Sequence, residues 1–256
     1  MTSAPRALIA GLGLIGGSIG MALRARGWRA AFLDPNVDLR QAQNAGAADE
    51  RVEAIAEADV VVLATPVDIA VKLLGGYRGT SVASVMLPFK DAKNFVAGHP
   101  LAGSHERGLG AARADLFNGC SWFLERHDPI VDRLVTDCGA RIEIVSAEEH
   151  DAAVALTSHL PQLLSTALAA YLDGEGRAPS GERELTDFAG TGLQTFLRLA
   201  ASDGGVWSPV LAANRQNLVP HFDRVMAIAR RIVEGDRSPF DAAQHFARSL
   251  PRRSPK

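Results

Sequence analysis

Apolar and polar positions alternate over short runs in the first half of the chain, then give way to longer stretches in which apolar residues recur at helical spacing. The short runs predict strands over residues 7–10, 30–33, 60–64, 81–85, 122–125 and 141–145. The intervals between them are about one helix long, which is the signature of βαβ units closing right-handed crossovers over a parallel sheet. After Val145 the β-rich runs stop and Ala/Leu-rich segments take over. Ser146 followed by Glu149 reads as a capping box opening a first long helix toward Leu172, kinked at Pro161. Residues 173–183 read as a loop, and further helices are expected over 184–201, 206–234 and 239–250, with a frayed tail from Pro251 to Lys256. The expected fold class is α/β, a Rossmann-type, mostly parallel sheet followed by an all-helical domain. The domains are expected at residues 1–146, binding a dinucleotide, and 147–256, carrying substrate contacts and dimerisation.

Composition narrows the partners. Lys+Arg 27 against Asp+Glu 29 leaves a formal charge of -2, so no basic field draws the chain to nucleic acid or an anionic membrane. Two cysteines, Cys120 and Cys138, form neither a disulfide scaffold nor a paired zinc spacing, so no metal is expected and a reducing cytoplasm fits. The apolar stretch from Ala7 to Leu23 is interrupted by glycines and lacks the flanks of a signal peptide or the length of a membrane span. The Ala/Leu-rich helices are too few to bury their apolar faces alone, which predicts pairing with a second copy.

The candidate chemistry begins at Gly11-Leu-Gly13-Leu14-Ile15-Gly16, which follows a predicted strand and opens a predicted helix. Glycines there allow a tight turn and close approach of a pyrophosphate to a helix N-terminus. Asp34 ends the second strand, about 20 residues on, where a carboxylate accepts from both adenosine ribose hydroxyls and repels a 2'-phosphate; this favours NAD over NADP. A turn-forming Asp before Pro35 is the plainer reading of the same residue. Thr65 and Pro66 end the third predicted strand, beside the expected nicotinamide ribose.

The segment HPLAGSHERGLGAARADLFNG from His99 to Gly119 resembles the signature of the prephenate and arogenate dehydrogenase family. The opening GLGLIGGSIG, the VLATP strand end, SHLP at Ser158 to Pro161 and RLAASDGGVWSPVLAAN from Arg198 to Asn214 extend the resemblance over nearly the whole chain. It implies an NAD-dependent oxidative decarboxylation of a cyclohexadienol in tyrosine biosynthesis: prephenate to 4-hydroxyphenylpyruvate, arogenate to tyrosine, or an analogue such as 4-amino-4-deoxyprephenate. It implies a homodimer through the helical domain and a cytoplasmic small-molecule enzyme; the regulatory domain that some relatives carry after the helical part is expected to be absent, the sequence ending at Lys256. By the same resemblance His99 hydrogen-bonds the C4 hydroxyl, as an imidazole titrating near neutrality can. Ser84 supports that hydroxyl or the nicotinamide, and Arg198 binds a substrate carboxylate bidentately, with an internal salt bridge as its plainer role. Ser158 and His159 face the interdomain cleft, and Gln162 meets the substrate side chain. Trp207 and Asn214 are expected to pack and to make a buried hydrogen bond, and His150 and Asp151 to be solvated or capping residues in a first helical turn.

The chain departs from the family pattern at Ser81 and Met86, where many members carry Asp and Lys, at His105 in place of Glu, and at Thr195 in place of Asp. Gln162 stands where the commonest prephenate-using pattern has a second histidine, which removes one reason to reject an ammonium side chain. Two competing readings remain: another Rossmann reductase, of the β-hydroxyacid dehydrogenase or pyrroline carboxylate reductase type, and a non-catalytic NAD-binding sensor on the same fold.

Overall fold

The computed structural model describes residues 4–103, 106–178 and 180–250. A six-stranded, all-parallel sheet organises the first half: β1 (Arg6–Ala10), β2 (Arg29–Leu33), β3 (Glu50–Arg51), β4 (Val60–Leu63), β5 (Gly79–Ser81) and β6 (Phe95–Val96), in the order β3-β2-β1-β4-β5-β6. β1 lies at the centre, Leu8 pairing with Ala31 on one side and Val61 on the other. Its neighbour β4 is VVVL and wholly buried, the continuous apolar run that a parallel strand covered on both faces requires. Alternation within β1 divides the core in two. Ala7 and Ile9 join Trp28, Phe117 and Trp122 on one face, while Leu8 and Ala10 join Phe89 and Phe95 on the other. Each large side chain sealed in these layers contributes about 1.5–3 kcal/mol relative to exposure.

The helices α1 (Leu14–Ala25), α2 (Leu39–Asn44) and α3 (Val67–Lys72) make the crossovers. Asp38 and Gln41 start α2 with a reciprocal capping box. A second, three-stranded sheet follows: β7 (Gly98–Pro100), β8 (Ser121–Leu124) and β9 (Arg141–Ile144), with α4 (Pro129–Asp137) between the last two. β7 runs antiparallel to β8, setting His99 opposite Phe123, and β8 runs parallel to β9.

Three strand expectations change. The run placed at residues 81–85 is β5 at Gly79–Ser81, so Ser84 lies in the turn beyond the strand. Val85 and Met86 are apolar because that turn is buried in the core, not because it is a strand. His99, outside every strand predicted from sequence, sits within β7. The strands over 122–125 and 141–145 belong to the second sheet rather than extending the first.

Beyond β9 the chain is helical, with α5 (Ala147–Val154) capped by Ser146, whose hydroxyl accepts from the Glu149 N–H at 3.2 Å. The long helix expected toward Leu172 is interrupted by a π-helical turn, Ala155–His159, before α6 (Leu160–Glu175). Pro161 has no N–H to give the carbonyl four residues back, and its ring crowds that carbonyl; a widened turn just ahead accommodates both. The segment expected as one helix over 184–201 is a 3-10 turn (Leu185–Phe188), α7 (Thr191–Leu197) and a second 3-10 turn (Arg198–Ala201). The helix expected over 206–234 divides at Asn214 into α8 (Gly204–Ala213) and α9 (Arg215–Val233), and α10 (Ser238–Ser249) follows. Asn214 breaks the run because its side chain turns inward to bond α5. No described helix is long and apolar enough to cross a membrane. The expected frayed tail, 251–256, lies outside the described residues.

Candidate active site

At the carboxyl end of β1 the chain turns so tightly that only glycine fits. Gly11 holds φ at +90°, and a Cβ there would lie 2.6 Å from the Ala64 oxygen; at Gly16 a Cβ would lie 1.9 Å from the Gly11 oxygen. A Cβ at Gly13, in contrast, would meet no atom within 4 Å. The turn is therefore closed toward the protein and open at Gly13, where α1 begins with neither a side-chain cap nor an acidic residue in its first turn. The N–H groups of Leu14, Ile15 and Gly16 belong to that uncapped turn, the position where an anion is bound.

Asp34 ends β2 half-buried, with both oxygens already engaged: Oδ2 accepts from the Leu12 N–H at 2.8 Å and Oδ1 from the Asn36 N–H at 2.8 Å. The second contact is the turn-forming role weighed from sequence. Each carboxylate oxygen retains a further lone pair, so ribose hydroxyls remain compatible with both contacts. Thr65 follows β4 with its hydroxyl buried and unpartnered, next to half-buried Pro66. Among the described residues no group of three or more His, Cys, Asp or Glu is arranged to hold a metal ion.

A cleft of about 590 Å³ opens between β7 and the α5 face, lined by His99, Gly103, Phe123, Glu149, His150, Thr157 and Ser158 among others. His99 reaches it because β7 is stitched to β5: Ser81 Oγ accepts from the Gly98 N–H at 3.1 Å and donates to the Gly98 oxygen at 3.2 Å. Serine at the position where many family members have Asp thus has a structural use.

Behind His99 lies a buried polar chain. His99 Nδ1 is 2.9 Å from His150 Nε2, and His150 Nδ1 is 2.8 Å from Asp151 Oδ1. Asp151 in turn accepts from the Met86 N–H at 2.7 Å and the Leu87 N–H at 3.0 Å. Its backbone oxygen takes a 2.7 Å hydrogen bond from Asn214 Nδ2, which also lies 3.0 Å from His159 Nδ1. Asn214 makes the buried hydrogen bond expected of it, and Trp207 packs edge-on against His159 with ring centroids 5.9 Å apart.

His150 and Asp151, read as solvated or capping residues, are only 2% and 0% exposed. The missed signal was helical phase, since His150, Ala153, Val154, Thr157 and Ser158 share the 3-4 spacing of a single face and all line the cleft. The electrostatics of His99 also differ from expectation. Burial, then the neighbouring His150 and His159 rings, push it down to about 3, so it is neutral at physiological pH rather than titrating there. Burial pushes His159 down to about 4, against the opposing pull of Asp151 and the Ser84 backbone. Its Nε2 is buried and completes no hydrogen bond.

The remaining candidates divide. Ser158 lines the cleft, whereas Ser84, His159, Gln162 and Arg198 are absent from its described lining. Gln162 is buried, its amide donating to the Leu199 oxygen at 2.9 Å and to Thr166 Oγ1 at 3.0 Å. Ser165 donates to the Phe196 oxygen and accepts from the Ala200 N–H. Gln162 and Ser165 thus hold the turn that carries Arg198. Arg107, from the loop after β7, closes on the same turn through the Ala201 oxygen at 2.8 Å and Asp203 at 3.0 Å. Arg198 itself is exposed with no ion-pair partner among the described residues, so the internal salt bridge weighed from sequence is not found there. His105 lies outside the described residues.

The chain is similar to known proteins over nearly its full length. A family model described as "Prephenate dehydrogenase, dimerization domain" matches residues 146–239. The Streptomyces niveus protein named "Probable prephenate dehydrogenase NovF" is 33% identical, the match covering 91% of this chain and 71% of that one. The chain belongs to the prephenate dehydrogenase family. Another relative, the prephenate dehydrogenase of Lactococcus lactis, is 28% identical over 93% of this chain and 73% of its own length. Among solved structures, that of A. aeolicus prephenate dehydrogenase in complex with hydroxyphenyl propionate and NAD+ superposes with a TM-score of 0.82 at 25% identity. It covers 96% of this chain and 98% of that one. As a member of this family, the protein is an oxidoreductase.

Proposed function

We propose that this prephenate dehydrogenase family member binds NAD at the Gly11–Gly16 turn and oxidises a cyclohexadienol carboxylate, releasing its ring carboxylate as CO2. The observation that carries the reading is His99, a neutral imidazole lining the cleft with its ring held from behind by His150. The open space at Gly13, the uncapped start of α1, Asp34 and the unpartnered Thr65 hydroxyl fit a dinucleotide. When bound, the dinucleotide supplies a hydride acceptor for the C4 hydrogen of the substrate. His99, neutral and so able to accept, receives the hydroxyl proton as the C4 hydrogen leaves with its electron pair. The electron pair of the C–CO2 bond stays in the ring, which becomes aromatic, and the proton returns to the phenolic oxygen. Arg198, with no protein partner competing for its guanidinium among the described residues, binds a substrate carboxylate bidentately. Ser158, which lines the cleft, contributes a hydroxyl near the reacting centre, and Ser84 is kept as a second only on the family resemblance.

Among the residues lining the described cleft, Glu149 alone carries a formal charge. A carboxylate there favours a substrate side chain bearing an ammonium, which puts arogenate ahead of prephenate; 4-amino-4-deoxyprephenate, whose amino group is on ring C4 instead of the side chain, is a third substrate to assay. Asp34 favours NAD over NADP.

The test is the absorbance rise at 340 nm with each of the three substrates and each nicotinamide cofactor. His99→Asn is expected to lower kcat by about 10²- to 10⁴-fold with KM near the wild-type value. Arg198→Gln is expected to raise KM by about 10- to 100-fold, the worth of a charge-assisted hydrogen-bonded pair, with little change in kcat. NAD binding without turnover of any substrate would leave the protein a nucleotide sensor and sink the enzymatic reading.

A further inference from the structure

We propose that His150 and Asp151 are positioning residues that fix the tautomer of His99, holding its proton on Nδ1 and leaving Nε2 bare as the acceptor. The inference rests on the role given to His99 above, and it assigns work to two residues outside the motifs that carry the family resemblance.

With both imidazoles neutral, the chain of atoms admits one arrangement of protons. Both oxygens of Asp151 face backbone N–H groups, Oδ1 that of Met86 and Oδ2 that of Leu87. A backbone N–H can only donate, so the carboxylate is fixed as an acceptor, and His150 Nδ1, 2.8 Å from Oδ1, carries a proton toward it. A neutral imidazole has one N–H, so His150 Nε2 is then a lone pair. Facing that lone pair at 2.9 Å, His99 Nδ1 is the donor. His99 Nε2 is on the far side of the ring from that contact, and His99 lines the cleft.

Each member is held by packing as well as by its partner. His150 stands edge-on to His99 with ring centroids 5.1 Å apart and to Phe123 at 5.5 Å, and it is 2% exposed. The Asp151 backbone oxygen is tied to Asn214 at 2.7 Å, so the carboxylate cannot swing away from His150 without breaking contacts to two other segments. The order Asp, His, His is the orienting logic of a catalytic triad with a second imidazole as its middle member and the reacting imidazole at its end. As the substrate proton reaches Nε2, the positive charge formed on His99 is met at Nδ1 by a ring already polarised by a carboxylate.

Nitrogen-15 NMR of the imidazoles in the wild-type protein at neutral pH reads this directly, with His99 assigned by its disappearance in His99→Asn. The expected spectrum shows His99 and His150 both protonated at Nδ1 and bare at Nε2, opposite to the Nε2–H form that free histidine prefers. Kinetics supply a second readout. His150→Leu removes the acceptor and is expected to lower kcat by about 10²-fold with KM within about twofold of wild type. His150→Gln returns a carbonyl oxygen to the same reach and is expected to recover about tenfold of that loss. A His99 ring protonated at Nε2, or equal losses in His150→Leu and His150→Gln, overturns the proposal. The spectrum needs no substrate, so a failure of the enzymatic reading is seen in the absorbance assay and a failure of the relay in the NMR.

Discussion

His99 and His159 are uncharged at physiological pH because the protein around them offers little water to solvate a charge. Their values fall from the ordinary 6.5 to about 3 and about 4, burial being the largest cause in each case. In the unfolded chain both rings take up protons near pH 6.5, whereas in the folded protein neither does until the pH is far lower. Between about pH 6.5 and 4 the unfolded state therefore binds more protons, and stability falls as pH falls through that window. The melting temperature should decline steadily from pH 7 to pH 5, and the decline should be shallower in His99→Asn. A flat profile in the wild-type protein would show that the rings are not buried as neutral bases. His99 itself was legible in sequence, since its motif carries it. Its partner His150 was not, because their pairing across β7 and α5 is set by where the sheet edge meets the helix, and nothing in the local spacing of either residue states it.

At the scale of elements, the parts that could be read ahead were those whose cause is local. The glycine turn, the buried strands β1 and β4 and the cap at Ser146 each follow from residues within a few positions of one another. The parts that could not were decided by packing. β5 stops at Ser81 although apolar residues continue, because Val85 and Met86 are drawn into the core by the turn they form. The π-helical turn and the break at Asn214 both interrupt stretches whose spacing reads as continuous helix. The two glycines of the first turn make a sharp experimental pair. Gly16→Ala places a Cβ 1.9 Å from the Gly11 oxygen, so it should cost about 3 kcal/mol of stability and abolish NAD binding. Gly13→Ala meets open space and should melt as the wild type does, yet bind NAD more weakly, because the methyl occupies the approach to the helix N-terminus. Calorimetry for both variants, melting and binding, separates these outcomes. Equal stability of the two would refute the close approach at Gly16.

For the whole molecule, the distribution of exposed apolar side chains is uneven. Met226, Ile228, Val233, Phe240 and Phe246 are all more than two-fifths exposed, and all belong to α9 and α10. Exposed apolar surface of that kind is expected to be covered by a second copy of the chain, in keeping with the family model matched over residues 146–239. Light scattering at micromolar concentration should give twice the 27.1 kDa chain mass, and Met226→Asp combined with Phe240→Asp should halve it. A wild-type monomer would refute the pairing. The contact at Asp151 bears on how such a molecule comes apart. Its carboxylate grips the turn after β5 and its backbone oxygen is gripped by Asn214, between α8 and α9. Prising the helices from the sheet would strand the Met86 and Leu87 N–H groups, His150 and Asn214 together in dry surroundings. The two halves are thereby coupled into one cooperative unit, and the first loosening of their junction already disarms His99, so heat should inactivate the protein no later than it unfolds it.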